Sequence, residues 1–168
     1  MINVLKVLHD TTVDGPGFRT SIYCSGCRHQ CPGCHNPQSW AFGKGEDRTT
    51  DDLLQEILAD PFANVTFSGG DPLYQAEGFA ELAARIKAES TKTIWCYTGF
   101  HYEDLLHDAA AQRLLRYVDV LVDGPFRQDL RDEDLLFRGS SNQRLIDIPR
   151  TKAEGDIVLW EREDFSEE

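Results

Sequence analysis

Four short apolar runs, RTSIYC (residues 19–24), NVTF (64–67), TIWCY (93–97) and YVDVLVDG (117–124), are separated by stretches of helical period. This alternation predicts βαβ units, with parallel strands joined by helical crossovers. Leu53, Leu54, Ile57 and Leu58 share one face of a helix starting near Thr50. Thr49 or Thr50 is placed to cap it, and Asp51 and Asp52 lie at the positive end of its dipole. Phe79, Leu82, Ala83 and Ile86 mark the inner face of a second helix, and Leu105, Leu106, Leu114 and Leu115 belong to a third. RTSIYC is read as the first strand. Each run ends in a loop rich in Gly, Asp or Cys, at the strand ends where α/β folds hold their ligands. Four or five strands are too few to close a barrel. The expected architecture is therefore α/β, a partial, incomplete TIM-like barrel of parallel βα units with its chemistry along one rim.

At 168 residues and 40% hydrophobic composition the chain is expected to form one domain over residues 1–168. After Arg127 the periodicity weakens, and an acidic tail is expected over about residues 161–168. A net charge of -12 argues against a nucleic-acid partner. There is no apolar run of the roughly 20 residues a bilayer requires, so no membrane association is expected. The opening MINVLKVLHD lacks the regions of a signal peptide, which predicts a cytoplasmic location.

In a reducing compartment, clustered cysteines point to metal binding or reactivity rather than disulfides. Four of the five cysteines fall in CSGCRHQCPGCHN, a cluster loop over residues 24–36. Two readings follow. Cys24, Cys27, Cys31 and Cys34 can form a closed four-thiolate zinc site, which would make the chain a non-enzymatic binding module. Alternatively, Cys24 belongs to the strand, on the same face as Ile22, and behaves as a small buried hydrophobe. The remaining Cys27-x3-Cys31-x2-Cys34 can then hold three irons of a [4Fe–4S] cluster and leave the fourth open to a substrate. Cys96, in the middle of a strand, reads as core.

The second reading matches a family pattern. C-x3-C-x2-C after the first strand resembles the signature of the radical S-adenosylmethionine superfamily. VDGPGFRTSIYCSGCRHQCPGCHN (residues 13–36) is similar to the opening of its glycyl-radical-enzyme activases. SGGDPLY (68–74), IWCYTGF (94–100), VDVLVDG (118–124) and FRGSSNQRL (137–145) resemble the short members that activate anaerobic, class III ribonucleotide reductases. The resemblance implies that Cys27, Cys31 and Cys34 ligate a [4Fe–4S] cluster whose fourth iron chelates S-adenosylmethionine. Reductive cleavage would give methionine and a 5′-deoxyadenosyl radical, with no side chain acting as acid or base.

Further roles are implied by the same resemblance. Gly69, Gly70 and Asp71 receive the methionine amino group, although a turn with Asp71 and Pro72 opening a helix explains the same residues. The superfamily often has an aromatic residue before its last cysteine. Here that position is Gly33, which leaves adenosine to the backbone of residues 33–35, including Cys34, with His35 as a possible lining residue. Asp123 is expected at the same rim as part of a polar or monovalent-cation site, or as a turn former before Gly124. The implied partners are the large, glycyl-radical subunit of the anaerobic reductase and a low-potential electron donor such as flavodoxin. FRGSSNQR is the expected partner surface. Activation of a different glycyl radical enzyme is the alternative within the same chemistry.

Overall fold

The computed structural model describes residues 1–27, 29 and 40–161. Their backbone forms one seven-stranded mixed sheet. The strands are β1 (Ile2–Thr11), β2 (Arg19–Cys24), β3 (Glu46–Arg48), β4 (Asn64–Gly69), β5 (Ile94–Tyr97), β6 (Val120–Asp123) and β7 (Arg144–Asp147). The helices are α1 (Thr50–Leu58), α2 (Ala76–Glu89), α3 (Ala109–Leu115) and α4 (Ile148–Glu154). Across the sheet the order is β3-β1-β2-β4-β5-β6-β7. The centre, β2-β4-β5-β6, is parallel, and β1, β3 and β7 extend it antiparallel.

The parallel centre follows from the apolar runs, since strands covered by crossover helices lose their exposed face. β2 is buried at every position. Ile22, Cys24, Val65, Phe67, Ile94, Cys96 and Leu121 join the helix-side core with Leu53, Phe79, Leu82 and Ile86. Alternate residues point to the other face, where Trp95, Val120 and Val122 meet Tyr97, Phe137, Leu145 and Trp160. Thr49 caps α1, its side chain accepting from the Asp52 amide at 3.1 Å, and Leu53, Leu54 and Ile57 are buried as the periodicity required.

Three strands depart from the sequence reading. RTSIYC is the second strand, because β1 precedes it. Register shifts between Val4 and Lys6 and between Leu8 and Thr11 break the period-2 pattern of β1, and Asp10 has a positive φ of 58°. Such bulges erase the alternation by which a strand is recognised. β3 is three largely exposed residues. β7 and α4 lie where the periodicity weakens. They are defined by Asp147, which caps α4 by accepting from the Arg150 amide at 3.1 Å, and by Gly155 in the left-handed conformation. The expected third helix is divided: Tyr102–Leu105 is a 3₁₀ turn, and α3 begins at Ala109 with Asp108 as its cap.

Candidate functional site

Parallel register brings the carboxyl ends of β2, β4, β5 and β6 to one rim. Cys24 pairs with Gly69, and Tyr97 pairs with Val122, one residue before Asp123. The loops leaving these strands surround a cavity of about 630 Å³, lined by Cys27, Gly69, Gly70, Thr98 and Gly99 among others. Its outer wall comes from Val13, Asp14 and residues between Arg131 and Gly139. That volume lies within the range of about 300–1,000 Å³ typical of small-molecule sites.

The first two clustered cysteines are separated by the fold. Cys24 is fully buried on the helix side, and burial, followed by the charge of Asp71, pushes its thiol far above the ordinary value. Cys27 lies beyond the strand end and lines the cavity. Its amide donates to the Trp40 carbonyl at 3.1 Å, which ties the start of the cluster loop to the chain that follows it. Upstream, Ser25 donates to Asn3 Oδ1 (2.5 Å), and Gln75 Nε2 donates to the carbonyls of Asn3 (3.1 Å) and Ser25 (3.0 Å). The missed strand β1 thus braces the loop. Cys31, Gly33, Cys34 and His35 lie outside the described residues. Among the described residues, no group of three or more His, Cys, Asp or Glu is arranged to hold a metal.

The glycines of SGGDP make a close backbone approach within the fold itself. Gly69 has φ of +104°, and a Cβ there would lie 2.3 Å from the Cys24 amide nitrogen. At Gly70 it would lie 2.5 Å from the Gly26 carbonyl oxygen. The two glycines therefore allow the turn to lie directly against the base of the cluster loop. Gly70 N donates to the Cys24 carbonyl (2.8 Å) and Asp71 N to that of Gly26 (2.9 Å). Gly69→Ala is expected to destabilise the fold by more than about 2 kcal/mol, since strain and a backbone clash coincide there. Gly43→Ala, also at positive φ but with nothing within 4 Å, is expected to cost about 1 kcal/mol. Chemical denaturation of the two variants measures the difference.

Asp71 is fully buried. It caps the 3₁₀ turn Pro72–Gln75 by accepting from the Leu73 amide at 3.0 Å. Its carboxylate also accepts from Thr98 Oγ1 (2.9 Å) and the Gly99 amide (2.9 Å). His29 Nε2 donates to it at 2.7 Å. The turn reading of Asp71 and Pro72 is thus present in the fold. Asp123 is also fully buried. It accepts from the Tyr102 amide (2.8 Å) and from Arg144 through Nε (3.0 Å) and Nη2 (2.5 Å), so a guanidinium already balances its charge. Arg144 reaches Glu103 as well (2.5 Å), and these bonds push its pKa up and that of Glu103 down.

A 4Fe-4S single cluster domain family matches residues 13–146. The anaerobic ribonucleoside-triphosphate reductase-activating protein of Salmonella typhi is 40% identical over 140 residues, covering 78% of this chain and 89% of its own length. That of Vibrio cholerae is 41% identical over 140 residues, covering 78% and 88%. The protein of the same name from Enterobacteria phage T4 is 36% identical over 139 residues, covering 79% and 86%. The chain belongs to this family of reductase-activating proteins.

The cavity fits a family defined by a single iron–sulfur cluster. It lies at the strand ends, it receives Cys27 while excluding Cys24, and it holds Gly69 and Gly70 against the cluster loop. Several residues that build the rim carry no role that sequence alone assigns. Thr98 and Gly99 were visible as the glycine-terminated end of a strand. Arg19 stands out only as the basic residue closing DGPG-x-R. It is fully buried and donates to Thr66 Oγ1 (2.8 Å) and to the carbonyls of Val65 (2.8 Å), Thr93 (3.1 Å) and Pro16 (3.1 Å). Burial pulls its pKa down to about 10. Through Pro16 it positions the loop carrying Asp14, whose carboxylate accepts from the Tyr23 hydroxyl. No described helix is long and apolar enough to cross a membrane.

Proposed function

We propose that this chain is a radical S-adenosylmethionine activase that generates a glycyl radical on an anaerobic ribonucleoside-triphosphate reductase. The observation carrying the reading is the family relationship to reductase-activating proteins, at about 40% identity over most of both chains. Cys27, Cys31 and Cys34 would hold the [4Fe–4S] cluster. Gly69, Gly70 and Asp71 form the turn that receives the methionyl end of S-adenosylmethionine, and the backbone of residues 33–35 meets the adenosine. When bound, the cluster would supply the electron for reductive cleavage of the sulfonium C–S bond, the chemistry from which a glycyl radical on the partner would be made.

The chain's own contribution is placement and exclusion of water. Arg19 fixes the outer loop, Asp71 joins two rim turns, and Asp123 with Arg144 holds the chain beneath Gly124. No side chain is required to move a proton. The parallel βα units form part of an incomplete barrel, and FRGSSNQR, whose Phe137, Arg138, Gly139 and Gln143 border the cavity, faces the reductase. A flavodoxin-type donor in the cytoplasm supplies the electron.

The test uses anaerobically reconstituted protein, a low-potential reductant and the cognate reductase. Methionine and 5′-deoxyadenosine are expected to form, with a glycyl radical seen on the reductase by electron paramagnetic resonance. Colourless protein binding a single zinc would overturn the reading. Cleavage with no radical on the reductase would leave the chemistry and remove the substrate.

A further inference from the structure

The cluster loop touches the rest of the rim at a residue outside the cysteine pattern. His29 lies between Cys27 and Cys31, and its side chain is only 16% exposed. Its Nε2 bonds to the fully buried Asp71 at 2.7 Å. The ring meets Phe100 edge-on at 4.6 Å and Tyr74 at 5.8 Å between centroids. Opposite it is Gly99, where a Cβ would lie 2.5 Å from the imidazole. The imidazole is thus confined by two aromatic rings, a carboxylate and a glycine with no side chain to obstruct it.

The Asp71 turn does not depend on this bond. Its carboxylate already has the Leu73 and Gly99 amides and the Thr98 hydroxyl, and its backbone is tied to Gly26. What His29 adds is a link across 42 positions of sequence. It joins the inside of the cluster loop to the turn of Gly69, Gly70 and Asp71 and to the end of β5. A charge-assisted bond at a buried carboxylate is short and directional, which suits it to fixing one element against another.

We propose that His29 is a positioning residue: its bond to Asp71 sets the cluster loop against the Gly69–Asp71 turn and so determines how S-adenosylmethionine lies relative to the cluster. This rests on the function proposed above. His29 is not a ligand of the metal in this account. It acts through Asp71, and its loss changes the fit of S-adenosylmethionine rather than the capacity to hold iron.

The experiment compares the wild type, His29→Ala and His29→Gln, reconstituted anaerobically and reduced. Iron and sulfide content, circular dichroism and the change in the cluster's paramagnetic resonance spectrum on titration with S-adenosylmethionine are measured. His29→Ala is expected to keep its fold and iron but to require about tenfold more S-adenosylmethionine for the spectral change, the size of effect one such bond produces. His29→Gln, whose amide donates to Asp71 from nearly the same place, is expected to recover most of the affinity. An alanine variant that titrates like the wild type overturns the proposal, as does a glutamine variant no better than alanine. Loss of iron or of fold in the alanine variant assigns His29 to loop assembly and overturns it as well. A wild-type cluster that ignores S-adenosylmethionine removes the underlying reading instead.

Discussion

Cys27→Ala is expected to abolish assembly of the iron–sulfur cluster, while Cys24→Ala is expected to leave it intact. Cys27 lies at the cavity, on the loop that begins where β2 ends. Cys24 lies in the core with Ile22 and Phe67 and is fully buried. A cluster held by three thiolates, as proposed above, has no ligand to spare. Cleavage of S-adenosylmethionine should fall by more than about 100-fold in Cys27→Ala, since even outer-shell changes at metal sites cost about 10- to 100-fold. Cys24→Ala removes one buried sulfur and should cost about 1 kcal/mol of stability with iron content unchanged. Iron analysis and the visible absorption of both proteins check this. Equal loss of metal in the two variants would restore the four-thiolate zinc site.

Arg19→Ala is expected to lower the melting temperature by about 6–12 °C. Two effects compete at this guanidinium. Burial pulls its pKa down to about 10, which corresponds to a penalty of about 3 kcal/mol. Against this stand its hydrogen bonds to Thr66, Val65, Thr93 and Pro16, at about 1.5–3 kcal/mol each for a charged donor. The bonds outweigh the penalty. Truncation also leaves a cavity beside Trp95, whose ring lies 5.7 Å from the guanidinium. A net loss of about 3 kcal/mol shifts the midpoint of a chain this size by about 2–4 °C per kcal/mol. Arg19→Lys should recover little, because an ammonium cannot serve carbonyls in several directions from one plane. A change below about 2 °C in Arg19→Ala would show that the bonds do no more than offset the burial penalty. Anaerobic thermal denaturation of the cluster-free protein measures fold stability separately from metal loading.

The residues at the rim differ in how far sequence could place them. Cys24 reads as core because it shares a face with Ile22, and side chains two residues apart on a strand point the same way whatever surrounds them. α1 was readable to its cap, since Thr49, Asp51 and Leu53 carry short-range signals. β1 was not readable, because its bulges interrupt the alternation and Lys6 and His9 interrupt its apolar side. The two glycines of SGGDP were recognised as permitting a close approach, but what they approach is the base of the cluster loop, a partner more than 40 residues away in sequence. Asp71 and Asp123 were recognised as rim carboxylates; that Thr98, Gly99 and His29 meet the first, and Arg144 the second, has no local signature.

Sequence by itself determined the parallel centre of the sheet, the buried faces of α1 and α2, the inward position of Cys24 and Cys96, and the cysteine spacing that marks the family. These depend on periodicities of two and 3.6 residues and on short motifs, which are properties of a few adjacent positions. Tertiary structure alone decided that β1, β3 and β7 extend the sheet antiparallel, that Arg19 is a buried cation serving main-chain carbonyls, and that His29 reaches Asp71. Those pairings arise because parallel register carries the ends of four strands to a single rim. There, side chains distant in the chain become neighbours, and the cost of leaving a buried polar group without a partner selects which of them bond.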